Sequence, residues 1–501
     1  MTANTPVHPR GAEWRIWDLH VHTPGSLVHG YGGESEDTWK RYVDELEALP
    51  PDITVVGIND YWFIDGYRRV LQAKDSGRLS NLDAIFPVVE LRLNQFGGTD
   101  GNLARANLHI IFDPLLHPDL IESQFLNGIR AKYTLASGVP QANWNGTVDR
   151  KSMADLGAAI KATVPHDQLD KFGSDLIEGF NSLNVSWDVL SEILDSSYLR
   201  NHFILGVGKT EWGKIKWNEQ SIASKKDLIN RASLIFTAFQ DSTKWAEDVQ
   251  ILRTAKVNHK ILDCSDAHHY SDSSEHERLG NCRTWLNTTP TFAGLNHALA
   301  EFDRRVYVGL EPPALARIRR SPERFIQQVT ITSDDPTSNR TFDYSLPLNP
   351  GFVAVIGNKG QGKSALLDCI ALAGNSSRHN EFAFLNSKRF LSASNRSARE
   401  YHAELGWMTG ATRRAHFNEA HDRSAPVAVE YLPQKFVERV CSADPLAGET
   451  DEFEAELRNV LFTHIPEEER AGEKSFDALL LRRTRTSRES VEQLRSSLRP
   501  R

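Results

Sequence analysis

Short apolar runs alternate with amphipathic stretches over about the first three hundred residues. The runs are rich in β-branched residues and predict strands, whereas apolar positions three or four apart predict helices between them. Strands that end in polar, metal-capable residues indicate an α/β barrel whose strand carboxyl ends converge on one site. The predicted strands are 53–58, 85–91, 108–112, 203–207, 233–236 and 260–264, the predicted helices include 153–163 and 226–232, and 97–101 and 141–146 are predicted loops.

The pattern changes near residue 310. Glu311-Pro312-Pro313 opens a predicted connector, and a second lobe follows with apolar runs typical of strands. Its predicted elements are strands at 329–332, 341–346, 352–356 and 427–432, a helix at 366–373 and a polar insertion at 376–423. The sequence therefore predicts four segments: a barrel over 1–310, a connector over 311–324, a lobe over 325–445 and a helical region over 446–501.

The last segment is acidic at first and then basic and helical. Apolar residues three or four apart predict the start of a coiled coil, although the seam is interrupted between 482 and 490. They are Phe476, Leu479, Leu480, Val491, Leu494 and Leu498. The segment from 470 to 501 contains nine Lys and Arg residues and four Asp and Glu residues. A solvated helix surface is favoured over a nucleic-acid contact as the reason for this excess of positive charge.

Composition adds the class and the compartment. The chain has 501 residues, of which 40% are hydrophobic and 25% charged, as expected for two or three globular domains. No apolar run reaches the roughly 20 residues that cross a bilayer, and the first residues lack the pattern of a secretion signal. A cytoplasmic protein without membrane contact is expected. The scattered cysteines, Cys264, Cys282, Cys369 and Cys441, predict packed, reduced thiols.

The formal net charge of −8 argues against a protein that coats nucleic acid over its whole surface. A local basic groove is still compatible with this charge.

Two histidine and carboxylate clusters carry the first candidate chemistry. In Asp18-Leu19-His20-Val21-His22 the two histidines are two residues apart, so on a strand both point to the same side. A second cluster, Asp263-Cys264-Ser265-Asp266-Ala267-His268-His269, follows another predicted strand about 240 residues later. Imidazoles and carboxylates in this arrangement are typical ligands of divalent metal ions.

A phosphate loop carries the second chemistry. Gly357-Asn358-Lys359-Gly360-Gln361-Gly362-Lys363-Ser364 matches the G-x4-G-K-[ST] pattern between a predicted strand and a predicted helix. Backbone N–H groups and the helix N-terminus surround an anion in such loops, Lys363 reaches the β- and γ-phosphates, and Ser364 holds magnesium. All eight residues are predicted to bind ATP with Mg²⁺.

These motifs resemble the PHP (polymerase and histidinol phosphatase) family of metal-dependent phosphoesterases, and more closely the TrlF-like proteins, in which a PHP domain is fused to an SMC-type ATPase. The matching stretches cover nearly the whole chain. They are Asp18-Leu19-His20-Val21-His22, Ile58-Asn59-Asp60-Tyr61, Val89-Glu90-Leu91 and Ser265-Asp266-Ala267-His268, with Gly208-Lys209-Thr210-Glu211-Trp212 and Phe292-Ala293-Gly294-Leu295 in support.

The resemblance implies a fold and a ligand set. The fold is a PHP-type distorted β/α barrel followed by the N-terminal lobe of an SMC/ABC-like P-loop ATPase and the start of a coiled coil. The implied ligands of two or three Mn, Zn or Fe ions are His20, His22, Asp60, Glu90, His109, Asp266 and His268, with Glu90, Asp266 and His268 catalytic. Such ions lower the pKa of bound water from 15.7 to about 7, and Glu90 or another acid could bridge two of them.

The chain also departs from the family pattern. Asp60-Tyr61 stands where many PHP enzymes have Asp-His, and the usual His-Pro signature is not found. The chain is therefore also expected to bind one metal ion fewer than the family pattern implies. The residues weighed as substitutes are His166, His202 and Asp241, each favoured as an ordinary loop or surface residue. His269 is interpreted as a neighbour or proton donor.

Tyr431-Leu432-Pro433-Gln434 resembles the Q-loop of SMC-type ATPases, which adds Gln434 to the predicted nucleotide-binding residues. The signature motif, the Asp-Glu strand and the switch histidine of such ATPases do not follow before Arg501. A truncated chain, a split gene product or a degenerate relative is therefore expected, with little ATP hydrolysis by this chain alone. The expected partners are a separate C-terminal lobe and a second copy, bound through the lobes or the coiled coil.

The leading functional hypothesis is a metal-dependent phosphoesterase, a nuclease acting on DNA or RNA, that an ATP-binding SMC-like module regulates. The resemblance implies a role in nucleic-acid processing or phage defence. One alternative is a small-molecule phosphatase of histidinol-phosphatase type, since one fold serves both substrate sizes. Another is a nucleotide-dependent sensor or scaffold whose PHP domain binds metal without catalysis.

Overall fold

The structure is a computed structural model that describes residues 8–97, 104–135, 148–209, 213, 217, 222–335, 342–433, 457–458, 460–462 and 465–498. The chain divides into two compact units, Met1–Arg319 and Arg320–Arg501. The division falls within the helix Pro313–Arg320, inside the segment predicted as a connector. Each unit has its own hydrophobic core, so each is described separately.

A nine-stranded mixed sheet forms the centre of the first unit. Its strand order is β11-β10-β1-β2-β3-β4-β7-β8-β9, and a separate pair, β5-β6, lies outside it. The strands are β1 Glu13–Val21, β2 Ile53–Tyr61, β3 Ala84–Gly97, β4 Ala104–Phe112, β5 Thr134–Leu135, β6 Leu183–Asn184, β7 Phe203–Gly208, β8 Leu234–Thr237, β9 Ile261–Asp263, β10 Thr284–Thr288 and β11 Val306–Val308. Every strand predicted in this unit is confirmed, with bounds that differ by a few residues.

Strand directions bring six carboxyl ends to one edge. β1, β2 and β3 are parallel, β7, β8 and β9 are parallel, and β4 is antiparallel to both β3 and β7. The two parallel groups therefore run the same way. The sheet nearly closes into a barrel, because Val21 at the end of β1 bridges Ala267 beyond β9. The reversed β4 was not predicted, since apolar alternation does not reveal strand direction.

Helices surround this sheet. They are Glu36–Glu47, Asp65–Asp75, Pro118–Ile121, a π-helical turn Glu122–Leu126, Asn127–Ala131, Arg150–Lys161, Asp175–Ser182, Trp187–Leu194, Ile222–Arg231, Ser242–Thr254, Phe292–Ala300 and Phe302–Arg305. The first shows why they form where they do: Ser35 accepts a hydrogen bond from the Thr38 amide as N-cap, and one apolar face is buried. The predicted helices 153–163 and 226–232 are confirmed within longer or shifted bounds.

The second unit contains a four-stranded antiparallel sheet of order β13-β12-β14-β15. Its strands are β12 Ile326–Ser333, β13 Tyr344–Pro347, β14 Tyr401–Trp407 and β15 Thr412–His416, and the helices are Lys363–Ala373 and Phe476–Leu498. The first two strands and both helices were predicted. β14 and β15 lie in the segment interpreted as a polar insertion, which was wrong because alternate residues such as Ala403 and Leu405 are buried in the core.

Two predicted strands are not formed in this unit. Residues 352–356 and 427–432 have no strand structure, and Phe352 and Ile356 are 92% and 90% exposed. An apolar run forms a strand only when a neighbouring strand satisfies its backbone groups, and no such neighbour is present for these runs in the described part of the chain.

The remaining structural predictions are partly outside the described residues. Gln434, Cys441 and most of the loops predicted at 97–101 and 141–146 lie there. Phe476–Leu498 is a single helix in which Leu479 is buried while Leu480, Val491 and Leu494 are exposed. Cys264, Cys282 and Cys369 are buried free thiols, as predicted. No helix among the described residues is both long and apolar enough to span a membrane.

Candidate metal centre

Strand β1 brings two imidazoles to the edge where the parallel strands end. His20 is 6% exposed and His22 fully buried, and their Nε2 atoms lie 3.2 Å apart, as expected for residues two apart on a strand. The Nδ1 of His22 lies 3.1 Å from the Ser26 hydroxyl, which fixes the ring and leaves Nε2 facing His20. The sequence motif thus forms one half of a histidine and carboxylate cluster.

Glu90 lies at the centre of the cluster. Its Oε2 is 3.3 Å from His109 Nε2, 3.5 Å from His20 Nε2 and 3.6 Å from His22 Nε2. Glu90 and His109 are direct partners of the antiparallel pair β3 and β4, which explains how a reversed strand brings His109 to the cluster. Asn59 and Asn107 donate to Oε2 and Oε1, each at 2.7 Å, and orient the carboxylate.

Asp266 closes the cluster from the loop after β9. Its Oδ1 lies 2.9 Å from His20 Nε2 and 3.7 Å from His22 Nε2. The backbone of Asp266 has φ +50°, a left-handed conformation that costs free energy in a non-glycine residue and that often marks functional sites. The Ser265 amide donates to Asp18 Oδ1 at 3.0 Å, so the first aspartate of the motif anchors this loop.

Three overlapping groups of side chains could each hold a metal ion. In each group the ligand atoms lie within 4.8 Å of one another. The groups are His20, Glu90 and His109; His20, His22 and Asp266; and Asp266, His268 and Glu277. The first two are largely buried, whereas Glu277 in the third is exposed.

A ring nitrogen also fits a metal. His109 Nε2 is buried, lies 3.3 Å from Glu90 Oε2 and makes no hydrogen bond of normal geometry with the described residues. Buried polar atoms are almost always hydrogen-bonded, so such a nitrogen in a histidine and carboxylate cluster fits ligation of Mn, Zn or Fe.

The electrostatics of the cluster are those of opposite charges packed together. Burial opposes ionisation of His20, but the Asp266 carboxylate outweighs it and raises the pKa of His20. Burial also opposes charge on Glu90, and His109 and His20 outweigh it to lower the pKa of Glu90. The pKa of His22 is lowered by burial and by the charges of His268 and His20.

Asp60, a predicted ligand, lies in a different place from the other six. The Thr23 amide donates to its Oδ1 at 3.1 Å, and the Thr23 hydroxyl lies 2.9 Å from its Oδ2. Asp60 is in none of the metal-capable groups of the described residues. Burial raises the pKa of Asp60 to about 7.

The alternation of side chains along β2 explains why the neighbours of Asp60 face the cluster while Asp60 does not. The amide of Asn59 lies 3.3 Å from His22 Nε2, and Tyr61 stacks on the His22 ring at 4.9 Å. Residues 59 and 61 share one face of β2 and residue 60 the other. The sequence interpretation missed Asn59, Asn107 and Glu277. The two-residue spacing of Asn107 and His109 was a signal that could have revealed Asn107.

The substitute ligands are outside the cluster. His202 pairs with Asp113 at 3.1 Å, Asp241 caps the helix Ser242–Thr254, and His166 is exposed at the start of a 3-10 turn. His268 stacks against His22 with ring centroids 4.1 Å apart, whereas His269 Nδ1 lies 3.2 Å from the Glu277 carbonyl oxygen.

The predicted phosphate loop of the second unit leads into a helix, but the strand predicted to precede it is not formed. Gly360 and Gly362 have φ +86° and +87°, which favour glycine, and the helix Lys363–Ala373 begins at the loop. Lys363 Nζ donates to the Gly357 and Asn358 carbonyl oxygens at 2.7 and 2.8 Å. The lysine therefore lies over the loop that a phosphate would occupy.

Comparison with known proteins yields structural likenesses alone, and five solved chains match. No protein-family model matches the chain, and no curated protein matches it. The chain is similar in structure to a Bifidobacterium adolescentis protein named provisionally as a metal-dependent phosphoesterase. The TM-score is 0.28 and the identity 12%, with 60% of this chain and 98% of that chain covered. A likeness of this size does not define the chemistry, which is argued from the cluster.

Proposed function

We propose that the first unit is a metal-dependent phosphoesterase of PHP type that hydrolyses phosphodiester bonds in DNA or RNA. The observation that carries the proposal is the buried convergence of three imidazoles within 3.6 Å of one Glu90 oxygen, with Asp266 beside them. Residues from four strands or strand ends, far apart in sequence, meet there.

The side chains have distinct roles in this proposal. His20, His22, His109, Glu90, Asp266 and His268 would hold the ions, and Asn59 and Asn107 orient the Glu90 carboxylate. Bound ions would neutralise phosphate oxygens and supply hydroxide at neutral pH. Tyr61 shields one face of His22 from water by stacking on it.

The second unit is proposed to bind ATP with Mg²⁺ through 357–364 and Gln434 and to regulate the first unit, as in an SMC-type ATPase lobe. The left-handed glycines and Lys363 support nucleotide binding. A separate C-terminal lobe, a homodimer and a role in phage defence stay predictions from the sequence resemblance.

Hydrolysis of a small diester tests the proposal. Bis-p-nitrophenyl phosphate is incubated with Mn²⁺ and the purified chain, the bound metal is quantified, and the His20→Ala and Asp266→Asn variants are assayed in parallel. Metal-dependent turnover that both substitutions abolish is the expected result. Absence of turnover in a folded, metal-loaded protein would contradict the proposal.

The same experiment distinguishes the second candidate, a sensor or scaffold with a non-catalytic metal site. Tyr61 at the position of a family histidine, stacked on His22, favours that candidate. Bound metal without turnover is the result that it requires.

A further inference from the structure

Two arginines lie on the same sheet face as the metal-capable cluster. Arg92 is two residues beyond Glu90 on β3, and Arg105 is four residues before His109 on β4. Side chains at such even spacings share one face of a strand. The cross-strand pairs Glu90 with His109 and Arg92 with Asn107 place Arg92 next to the cluster, and the register shifts between Arg92 and Phe96, the partner of Arg105.

Arg92 also lies toward the carboxyl end of the parallel strands. Because β1 ends and the Asp266 loop begins at that same edge, the arginine is about 7 Å further along the strand than Glu90, from a rise of about 3.3 Å per residue. Arg105, four residues before His109 on the reversed strand, is about 13 Å further along β4 than that histidine, in the same direction.

Packed neighbours fix the two guanidinium groups. Arg92 donates to the Asn181 side-chain oxygen and lies 4.1 Å from the Phe180 ring centroid, and Arg105 donates to the Asn181 carbonyl oxygen at 2.8 Å. Phe180 is fully buried and packs 4.9 Å from Tyr61, the residue that stacks on His22. A chain of ring contacts thus connects Arg92 to a ligand.

Both guanidinium groups are half-buried and close enough to affect one another. Burial, and then the charge of Arg92, lower the pKa of Arg105. The planar fork of arginine matches the oxygens of a phosphate group.

We propose that Arg92 and Arg105 bind a phosphate group of the substrate that flanks the phosphate held at the metal-capable cluster. This inference rests on the proposed function and narrows it. The substrate then carries at least two neighbouring phosphates, as a nucleic-acid strand does and a phosphomonoester metabolite does not.

Three thymidine dinucleotides test the inference: one without a terminal phosphate, one with a 5′-phosphate and one with a 3′-phosphate. Each is assayed with Mn²⁺, and cleavage of the internal diester is followed by chromatography. We expect a kcat/KM about tenfold or more higher for one phosphorylated form, from the usual strength of a charged hydrogen bond. Arg92→Met and Arg105→Met should reduce this ratio toward one, and Arg92→Lys should retain part of it.

The ratio is an internal control, since a substitution that merely harms folding lowers the rates of all three substrates together. Arg200→Met, at an exposed arginine paired with Asp195, is the matched control and should keep the wild-type ratio. Cleavage without preference for either phosphorylated form, or a preference unchanged in both Met variants, overturns the inference alone. If none of the three dinucleotides is cleaved and bis-p-nitrophenyl phosphate is not cleaved either, the proposed function is wrong and the inference falls with it.

Discussion

The histidine and carboxylate cluster of the first unit and the predicted phosphate loop of the second unit differ in how fully the surrounding residues pack around them. In the first unit His20, Glu90 and His109 are 6%, 1% and 1% exposed, and their ligand atoms already converge. In the second unit the predicted phosphate loop leads into a helix, but the apolar residues just before it, Phe352 and Ile356, are exposed and form no strand. The candidate ligands of the first region are therefore already packed together, whereas the loop of the second region follows an exposed apolar segment.

The difference teaches how local and non-local motifs depend on the fold. A phosphate loop is a short segment whose glycines and helix N-terminus act through adjacent residues. The metal-capable cluster exists only if β1, β3, β4 and the loop after β9 are aligned by the sheet. A disturbance of the sheet should therefore damage the cluster more than the loop.

The largest effect is expected from Glu90→Gln. Removing the carboxylate charge beside three imidazoles should reduce hydrolysis of bis-p-nitrophenyl phosphate by at least about a hundredfold. Substituting a residue that only hydrogen-bonds to a metal ligand already reduces activity or metal affinity about 10–100-fold. The matched control is Glu277→Gln, an exposed carboxylate of the third group, which should cost less. Equal losses in both variants would show that the centre is not organised around Glu90.

Removal of metal should affect the first unit selectively. A ligand at a hundred times its Kd stabilises the folded state by about 2.7 kcal/mol. We expect a chelator to lower the unfolding temperature of the first unit while the second unit unfolds as before, in calorimetry with Mn²⁺ or EDTA. An EDTA scan identical to the Mn²⁺ scan would contradict metal binding at the cluster.

Lys363→Met tests the phosphate loop. Lys363 lies over the loop, and its loss should weaken ATP binding about 10–100-fold, the range of one to two charged hydrogen bonds. Equilibrium binding of fluorescent ATP with Mg²⁺ measures the change. Lys388→Met, at an exposed lysine of the same unit, is the control, and equal affinities of the two variants would argue against a nucleotide at this loop.

The smallest effect is expected from Asp60→Asn, which separates a ligand from a positioning residue. If Asp60 is only a positioning residue, the amount of bound metal should stay unchanged. An asparagine oxygen can still accept from the Thr23 amide, so the loss of unfolding free energy should be smaller than in Asp60→Ala, where we expect a loss of about 1–3 kcal/mol. Metal analysis and urea unfolding measure both quantities. Loss of an ion in Asp60→Asn would establish Asp60 as a ligand.

The sequence alone was sufficient for many of the elements of the first unit and for part of the cluster, but it missed β14 and β15 and predicted two strands of the second unit that are not formed. Apolar runs located β2, β3, β4, β7, β8 and β9 of the barrel-like sheet, and the histidines of β1 and the Asp266 and His268 pair were recognisable by their spacing. The distance in space between the motifs 18–22 and 263–269 could not be obtained from the sequence, because about 240 residues separate them along the chain. The resemblance supplied Glu90 and His109, which the structure brings to the same cluster.

The sequence determined which residues can ligate metal and phosphate, since ligand chemistry and two-residue spacing are local properties. Only the tertiary structure decided that β4 is reversed, that Asn59 and Tyr61 rather than Asp60 contact His22, and that Arg92 lies next to the cluster. The physical reason is that strand direction and face depend on which strands pair, and pairing is a property of the whole sheet.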